Sequence, residues 1–113
     1  MTFDHRAHLR VAWEALDRGG LPTALIEVPA WLRGMAAAAG RPEKYNETVT
    51  LGFLLVLADR HRPGEDFDAF LERHPDLLRS DVLQRWWRPE TLASERARRG
   101  FVFPDGNQFA ETP

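Results

Sequence analysis

The sequence predicts an all-α, single-domain helical bundle of about five or six helices, with the third helix buried at its centre. Glycine and proline divide the 113 residues into segments of helix length, at positions 19–22, 40–42, 62–64, 74–75, 88–89 and 100. No segment combines strict apolar alternation with β-branched residues, so no strand is predicted. A hydrophobic content of 43% is enough for one core in a domain spanning residues 1–113.

The first two helices are predicted over residues 4–18 and from residue 22 or 23 to residue 39. In helix one, Leu9, Ala12 and Trp13 lie on one face at helical spacing, and His5 lies near the middle of that apolar stripe. Helix two contains Pro29, which predicts a kink or a break into two pieces. Trp13 and Trp31 are both predicted to lie in the core because they stand at helical spacing among leucines.

The third helix, predicted over residues 42–60, carries apolar residues on nearly all sides. Val49, Phe53 and Leu57 form one stripe, and leucines cover most of the opposite side. A helix of this kind is buried, so we expect it at the centre of the bundle. Its polar residues fall in the first two turns, on faces that become apolar one turn later. We therefore expect them to be half-buried and to need hydrogen-bond partners.

The remaining segments are shorter. Asp66 can cap a helix that ends before Pro75, and Ser80 or Asp81 can cap a helix over residues 82–87. Pro89 is predicted to open a charged helix that Gly100 closes, where the basic run at 96–99 would complement the helix dipole. The tail at 101–107 is apolar and then forms a tight turn. It is predicted to fold back on the bundle, with the last few residues frayed.

Composition narrows the classes of partner and cofactor. The chain has no cysteine, which excludes disulfides, thiolate metal sites and cysteine nucleophiles. A net charge of −2 favours neither nucleic acid nor anionic membranes as partners. The apolar run at 49–58 is shorter than the roughly 20 residues of a membrane span, and no secretory segment is recognisable. We expect a cytoplasmic protein, and the excess of arginine over the single Lys44 suggests a GC-rich bacterial genome.

The predicted bundle brings polar side chains together at one end. If helices one and three run parallel in an up-down bundle, their N-terminal ends meet there, and the small residues at 36–39 leave space beside them. This end is the predicted functional site. Its candidate catalytic residues are His5, His8, Tyr45 and Glu47, and its candidate ligand-binding residues are Asn46, Thr50 and Trp13.

Three interpretations of this cluster stay open. The histidines and Glu47 could exchange protons with a small substrate, because histidine titrates near neutral pH. No cofactor is predicted, although His5, His8 and Glu47 together could hold a metal, a less favoured alternative. In a purely structural interpretation, His5 is hydrogen-bonded to Tyr45 or Glu47, and His8 is solvated. The sequence leaves open whether the protein is an enzyme.

A second candidate surface surrounds the adjacent Trp86 and Trp87. Neighbouring residues on a helix point about 100° apart, so both rings cannot enter one core. Either the pair forms a partner surface, or one ring packs inward while the other lies under Phe101 and Phe103.

The two candidate sites lead to two hypotheses of function. The polar end of the bundle predicts a small-molecule-binding or proton-transfer protein of a bacterial biosynthetic pathway. The tryptophan surface predicts, alternatively, a non-catalytic interaction module or homodimer that uses this apolar surface.

Several phrases also resemble a family of small bacterial helical proteins. They are F-x-H-x-x-H-L followed by A-W at 3–13, K-Y-x-E-T at 44–48, F-x-x-F at 67–70 and A-R-x-x-F-V-x-P-D at 97–105. In that family an acidic residue usually occupies position 7 and a histidine position 46, whereas this chain has Ala7 and Asn46. The resemblance supports the location of the site and implies no particular activity.

Overall fold

The computed structural model describes residues 5–105 and contains only helices and loops within that range. The predicted start of helix one at residue 4, the turn at 106–107 and the fraying of the last residues lie outside it. Five α-helices follow one another in the order α1 His5–Ala38, α2 Glu47–Arg60, α3 Phe67–Arg73, α4 Pro89–Leu92 and α5 Glu95–Arg99. Short 3₁₀ helices occupy Pro42–Lys44, Pro75–Leu78 and Val82–Arg85. The predicted all-α, single-domain bundle is confirmed.

Helix α1 consists of two segments that meet at Gly20. This residue has φ 75° and ψ −169°, in a region that favours glycine, and it separates the segments 5–19 and 21–38. The backbone keeps helical dihedrals through Pro29, so the break that we considered there is wrong. Pro29 is buried, and packing against the core maintains the helix although its proline has no amide hydrogen to donate.

Helix α2 is the predicted central helix. It packs against α1, α5 and the 3₁₀ helix at 82–85, with Leu54 and Leu57 fully buried. Its outer side leaves Leu55 exposed, so the burial is not complete all round. The helix also begins five residues later than the predicted start at 42, because Asn46 caps it and Tyr45 has an extended backbone.

The second half of the chain follows the predicted caps with shorter helices. The Asp66 carboxylate accepts a hydrogen bond from the Ala69 amide at 3.3 Å, as expected for the cap of α3. The charged helix predicted between Pro89 and Gly100 is divided in two, because Ser94 caps a new helix by accepting from the Ala97 amide at 3.1 Å. The helix predicted at 82–87 is a 3₁₀ helix that ends at Arg85.

The segment 101–105 folds back on α2, as predicted. The buried Thr48 hydroxyl donates to the Gly100 carbonyl at 2.7 Å and accepts from the Val102 amide at 3.0 Å. The Trp87 indole donates to the Val102 carbonyl at 2.8 Å, and the Asp105 amide donates to the Trp86 carbonyl at 3.0 Å. These hydrogen bonds fix the segment 101–105 to α2 and to the tryptophan pair.

The tryptophans divide into buried and exposed pairs. Trp13 is buried, as predicted, and Trp87 is only 4% exposed and packs edge-on against Phe101. Trp86 is 39% exposed, with the Arg85 guanidinium over its ring. The core position predicted for Trp31 is wrong: it is 37% exposed and packs edge-on against His8.

The end of α3 makes stability depend on pH near neutrality. Burial, followed by the Arg73 and Arg60 charges, lowers the pKa of His74 below its usual value, whereas Asp76 and Glu65 act in the opposite direction. As pH falls, the unfolded chain therefore binds a proton at His74 at a higher pH than the folded chain does. Its contribution to stability is present above the unfolded pKa and is lost as pH falls through about 6.5.

We expect His74→Gln to reduce this pH dependence. Urea unfolding of both proteins about one pH unit above and below 6.5 measures it. The free energy of unfolding should decrease less on acidification in the variant than in the wild type. Equal decreases in both proteins would contradict the assignment to His74.

Candidate functional site

A cavity of about 610 Å³ lies at the predicted end of the bundle. Residues from both segments of α1, from the loop at 41–46 and from α2 as far as Leu57 surround it. Apolar side chains form most of its wall, among them Leu32, Met35, Val49, Phe53, Leu54 and Leu57. Ala36 and Ala39 leave the space that the small-residue run predicted. No acidic residue from the described range 5–105 lines it.

Five of the seven predicted site residues line this cavity, and two do not. The lining residues are His5, His8, Tyr45, Asn46 and Thr50. Glu47 and Trp13 are not part of the cavity wall. Trp13 instead packs against His61 and Phe67, with ring centroids 5.5 and 5.8 Å away, and its indole N–H has no hydrogen-bond acceptor within residues 5–105. We therefore correct its predicted ligand-binding position to one in the core.

His5 is held by a backbone group on a distant segment. Its Nε2 lies 2.8 Å from the Leu77 carbonyl oxygen, and its ring meets Phe53 edge-on with the centroids 5.0 Å apart. A carbonyl oxygen can only accept, so Nε2 carries the hydrogen and Nδ1 of the neutral ring carries the lone pair. This contact replaces the expected hydrogen bond to Tyr45 or Glu47. It orients the imidazole and gives it one basic nitrogen.

His8 lies on the same wall, one helical turn along α1. Its ring contacts Trp31 edge-on, with the centroids 6.4 Å apart, and is partly buried. The structural interpretation expected a solvated His8, which disagrees with this partial burial. The exposed Trp31 therefore covers this histidine from the outer side.

Tyr45 and Glu47 form a cluster with Arg33 beside the cavity. The Tyr45 hydroxyl donates to Glu47 Oε1 at 2.5 Å, and Arg33 Nη2 donates to the same oxygen at 3.3 Å. The Arg33 guanidinium also lies over the Tyr45 ring, 5.1 Å from its centroid. The carboxylate is thus engaged with α1, away from the cavity wall. Residues 5–105 contain no group of three side chains able to hold a metal, so the structure does not assemble His5, His8 and Glu47 as a ligand set.

The same contacts keep Tyr45 protonated. Burial raises the pKa of Tyr45 to about 12, and the hydrogen bond to Glu47 acts in the same direction, while Thr50 opposes it. At neutral pH the Tyr45 hydroxyl is therefore protonated, and it already donates its hydrogen bond to Glu47. It is not a base, and its predicted catalytic role would require this hydrogen bond to break.

Tyr45 is the single tyrosine of the chain, which makes its pKa directly measurable. We expect the tyrosinate ultraviolet absorbance of the folded protein to rise near pH 12, and that of the protein in denaturant to rise near pH 10. Far-ultraviolet circular dichroism at each pH verifies that the chain is still folded. A native titration near pH 10 would contradict the buried hydrogen bond to Glu47.

Asn46 and Thr50 use their polar atoms within the protein. Asn46 Oδ1 accepts from the Val49 amide at 2.9 Å, and its Nδ2 donates to the Leu92 carbonyl at 2.7 Å. The Thr50 hydroxyl donates to the Asn46 carbonyl at 2.8 Å. Both residues line the wall, and Asn46 joins the start of α2 to α4. Their predicted role as polar ligand contacts is not supported by this hydrogen bonding.

The sequence interpretation missed two basic residues that line the cavity, Arg41 and Lys44. Gly40, with φ 71°, ends α1 in a Schellman turn in which the Gly40 amide donates to the Ala37 carbonyl and the Arg41 amide to the Ala36 carbonyl. This turn directs the chain across the end of the bundle. The sequence did contain a signal for the position of Arg41 and Lys44. The connection between Gly40 and Tyr45 is short, so both basic residues must lie close to Tyr45.

Comparisons of the chain with known protein families, with curated proteins and with solved structures found no match. The resemblance to a family of small bacterial helical proteins therefore stays a prediction. No helix within residues 5–105 is long and apolar enough to cross a membrane. Fold and site define an all-α protein with a mainly apolar cavity at one end of its bundle.

Proposed function

We propose that this protein binds a small, largely apolar molecule in the cavity between α1 and α2. The observation that carries the proposal is the cavity itself, whose volume of about 610 Å³ falls within the 300–1,000 Å³ typical of small-molecule sites. Its wall combines many apolar side chains with a few polar ones, which is the usual composition of such sites. Burial of apolar ligand surface would supply most of the binding free energy.

His5 is the residue through which binding could extend to proton transfer. Its orientation by the Leu77 carbonyl leaves Nδ1 as the basic atom of a side chain on the cavity wall. Histidine accepts and returns protons near neutral pH, so a bound molecule with an acidic proton could exchange it there. Catalysis of this kind, within a bacterial biosynthetic pathway, is the enzymatic form of the proposal.

Calorimetric titration with hexanol, octanol and decanol tests binding without assuming any charge on the ligand. We expect saturable binding at one site, with the affinity rising about fourfold for each added CH₂ group, the factor that corresponds to about 0.8 kcal/mol. The increase should stop when the chain fills the cavity. Absence of saturable binding, or an affinity independent of chain length, would refute the proposal.

A homodimer or interaction module is the second candidate function, favoured by the exposed Trp86. This ring borders a groove of about 270 Å³ that Leu55, Val56 and Pro104 help to line. Because Trp87 is buried, Trp86→Ala is the variant that changes this surface without changing the core. For a homodimer, size-exclusion chromatography should show a dimer for the wild type and a monomer for Trp86→Ala. If the wild type and Trp86→Ala both elute as monomers, the homodimer hypothesis is wrong.

A further inference from the structure

The charges around the cavity point to the chemical class of its ligand, on the assumption that the proposed small-molecule binding is correct. Arg41 and Lys44 are both exposed and both line the cavity, so they stand at its rim. The two histidines are the other titratable bases of the wall. Among residues 5–105, the charged side chains that line the cavity are basic and none is a carboxylate, although the chain has a net charge of −2.

The rim cations differ from other basic residues in their partners. Arg33, Arg60 and Arg73 form ion pairs with Glu47, Asp76 and Glu65 respectively. Arg41 and Lys44 form no ion pair with any acidic residue of the described range 5–105. Glu47, beside the cavity, is engaged by Tyr45 and Arg33. Glu43, which precedes Lys44 in the same 3₁₀ helix, is exposed and does not line the cavity. Within the described range, no ion pair therefore neutralises the two cations at the rim.

The backbone that carries these two residues is ordered by hydrogen bonds. Arg41 follows the left-handed Gly40 directly, and its amide is bonded to the Ala36 carbonyl at 2.8 Å. Lys44 ends the 3₁₀ helix Pro42–Lys44, and its amide donates to the Arg41 carbonyl at 3.0 Å. The two side chains thus start from a short, hydrogen-bonded turn. An anionic group at the rim could meet both of them while an apolar body extends between α1 and α2.

We propose that the ligand is an amphipathic anion whose apolar body occupies the cavity and whose single acidic head binds Arg41 and Lys44 at the rim. A carboxylate head suits this arrangement, because arginine binds it through two parallel hydrogen bonds and lysine adds a second charge. Basic residues beyond a helix C-terminus also interact favourably with the helix dipole. That structural role would change stability and leave the choice between head groups unaffected.

Calorimetric titration with decanoate, decanol and decylamine, which share one apolar chain, tests the head group. Decanoate should bind several-fold more tightly than decanol, and decylamine most weakly, because only the carboxylate gains charge-assisted hydrogen bonds from the two exposed cations. In the double variant Arg41→Gln, Lys44→Gln, the ratio of decanoate to decanol affinity should fall toward one. Arg96→Gln, an exposed change on α5, is the matched control and should keep the wild-type ratio.

The outcomes separate this inference from the proposed function. Equal affinity for decanoate and decanol, or a double variant that keeps the wild-type ratio, would overturn the anionic head while small-molecule binding remains. If none of the three compounds binds, the proposed function itself fails. Added salt should weaken decanoate more than decanol, since screening acts only on the charged contact. Binding of decanoate is also compared between free solution and neutral phospholipid vesicles. Binding in free solution indicates a free amphiphile as the ligand. Binding only in the presence of vesicles would contradict the cavity as the binding site.

Discussion

Replacing Trp87 by alanine is expected to lower the free energy of unfolding by about 3–5 kcal/mol. The ring is 4% exposed and belongs to a cluster with Val82 and Leu83 that packs against α2. Its removal would leave a cavity and would also deprive the Val102 carbonyl of the indole donor at 2.8 Å. Urea unfolding followed by circular dichroism measures the change.

Trp86→Ala provides the matched control for this prediction. It removes the same side chain one residue earlier, from a position 39% exposed, so we expect it to change the free energy of unfolding by about 0.5 kcal/mol or less. Similar losses in the two variants would contradict the observed division into one buried and one exposed ring. Both unfolding curves should be recorded on the monomeric species, so that association does not add to the stability.

Replacing Ala36 by tryptophan is expected to abolish binding of decanol and decanoate, with a loss of at least about tenfold in affinity. Ala36 lies on the cavity wall near the end of α1, where its small side chain leaves space. A large ring there would occupy the volume that the apolar chain needs, and the buried area lost would exceed several CH₂ groups of about 0.8 kcal/mol each. Calorimetric titration measures the loss.

Ala37→Trp is the control for this block. Ala37 is the next residue of the same helix, is exposed and does not line the cavity, so the wild-type affinity should be kept. Circular dichroism and thermal unfolding of both variants check that α1 is intact. Equal binding by both tryptophan variants would show that decanol and decanoate bind elsewhere.

Much of the fold was predictable because its determinants are local. Gly20 separates the two segments of α1, Asp66 caps α3, and the apolar surface of α2 predicts its central position. The errors concern tertiary context. Pro29 does not break its helix, and Trp31 lies outside the core, because burial depends on which segments pack together and local spacing does not encode this.

That most of the candidate residues lie around one cavity was predictable, whereas the partner of each side chain was not. His5, His8 and Tyr45 line one cavity between α1 and α2, and His5 contacts Phe53 in the second turn of α2. The partner of His5 is a carbonyl 72 residues away, and Glu47 is engaged by a guanidinium of another helix. Long-range contacts of this kind depend on the packed structure, and they decide which polar groups are available to a ligand.

Met35 offers the most direct observation of the cavity. The chain contains two methionines, Met1 and Met35, and Met35 lies on the cavity wall. In protein labelled with carbon-13 at the methionine methyl groups, comparison with Met35→Leu assigns its resonance. Titration with decanoate should shift this signal saturably and produce nuclear Overhauser effects between the Met35 methyl and the decanoate chain. Saturation by decanoate with an unchanged Met35 signal, or no binding at all, would contradict an apolar ligand site between α1 and α2.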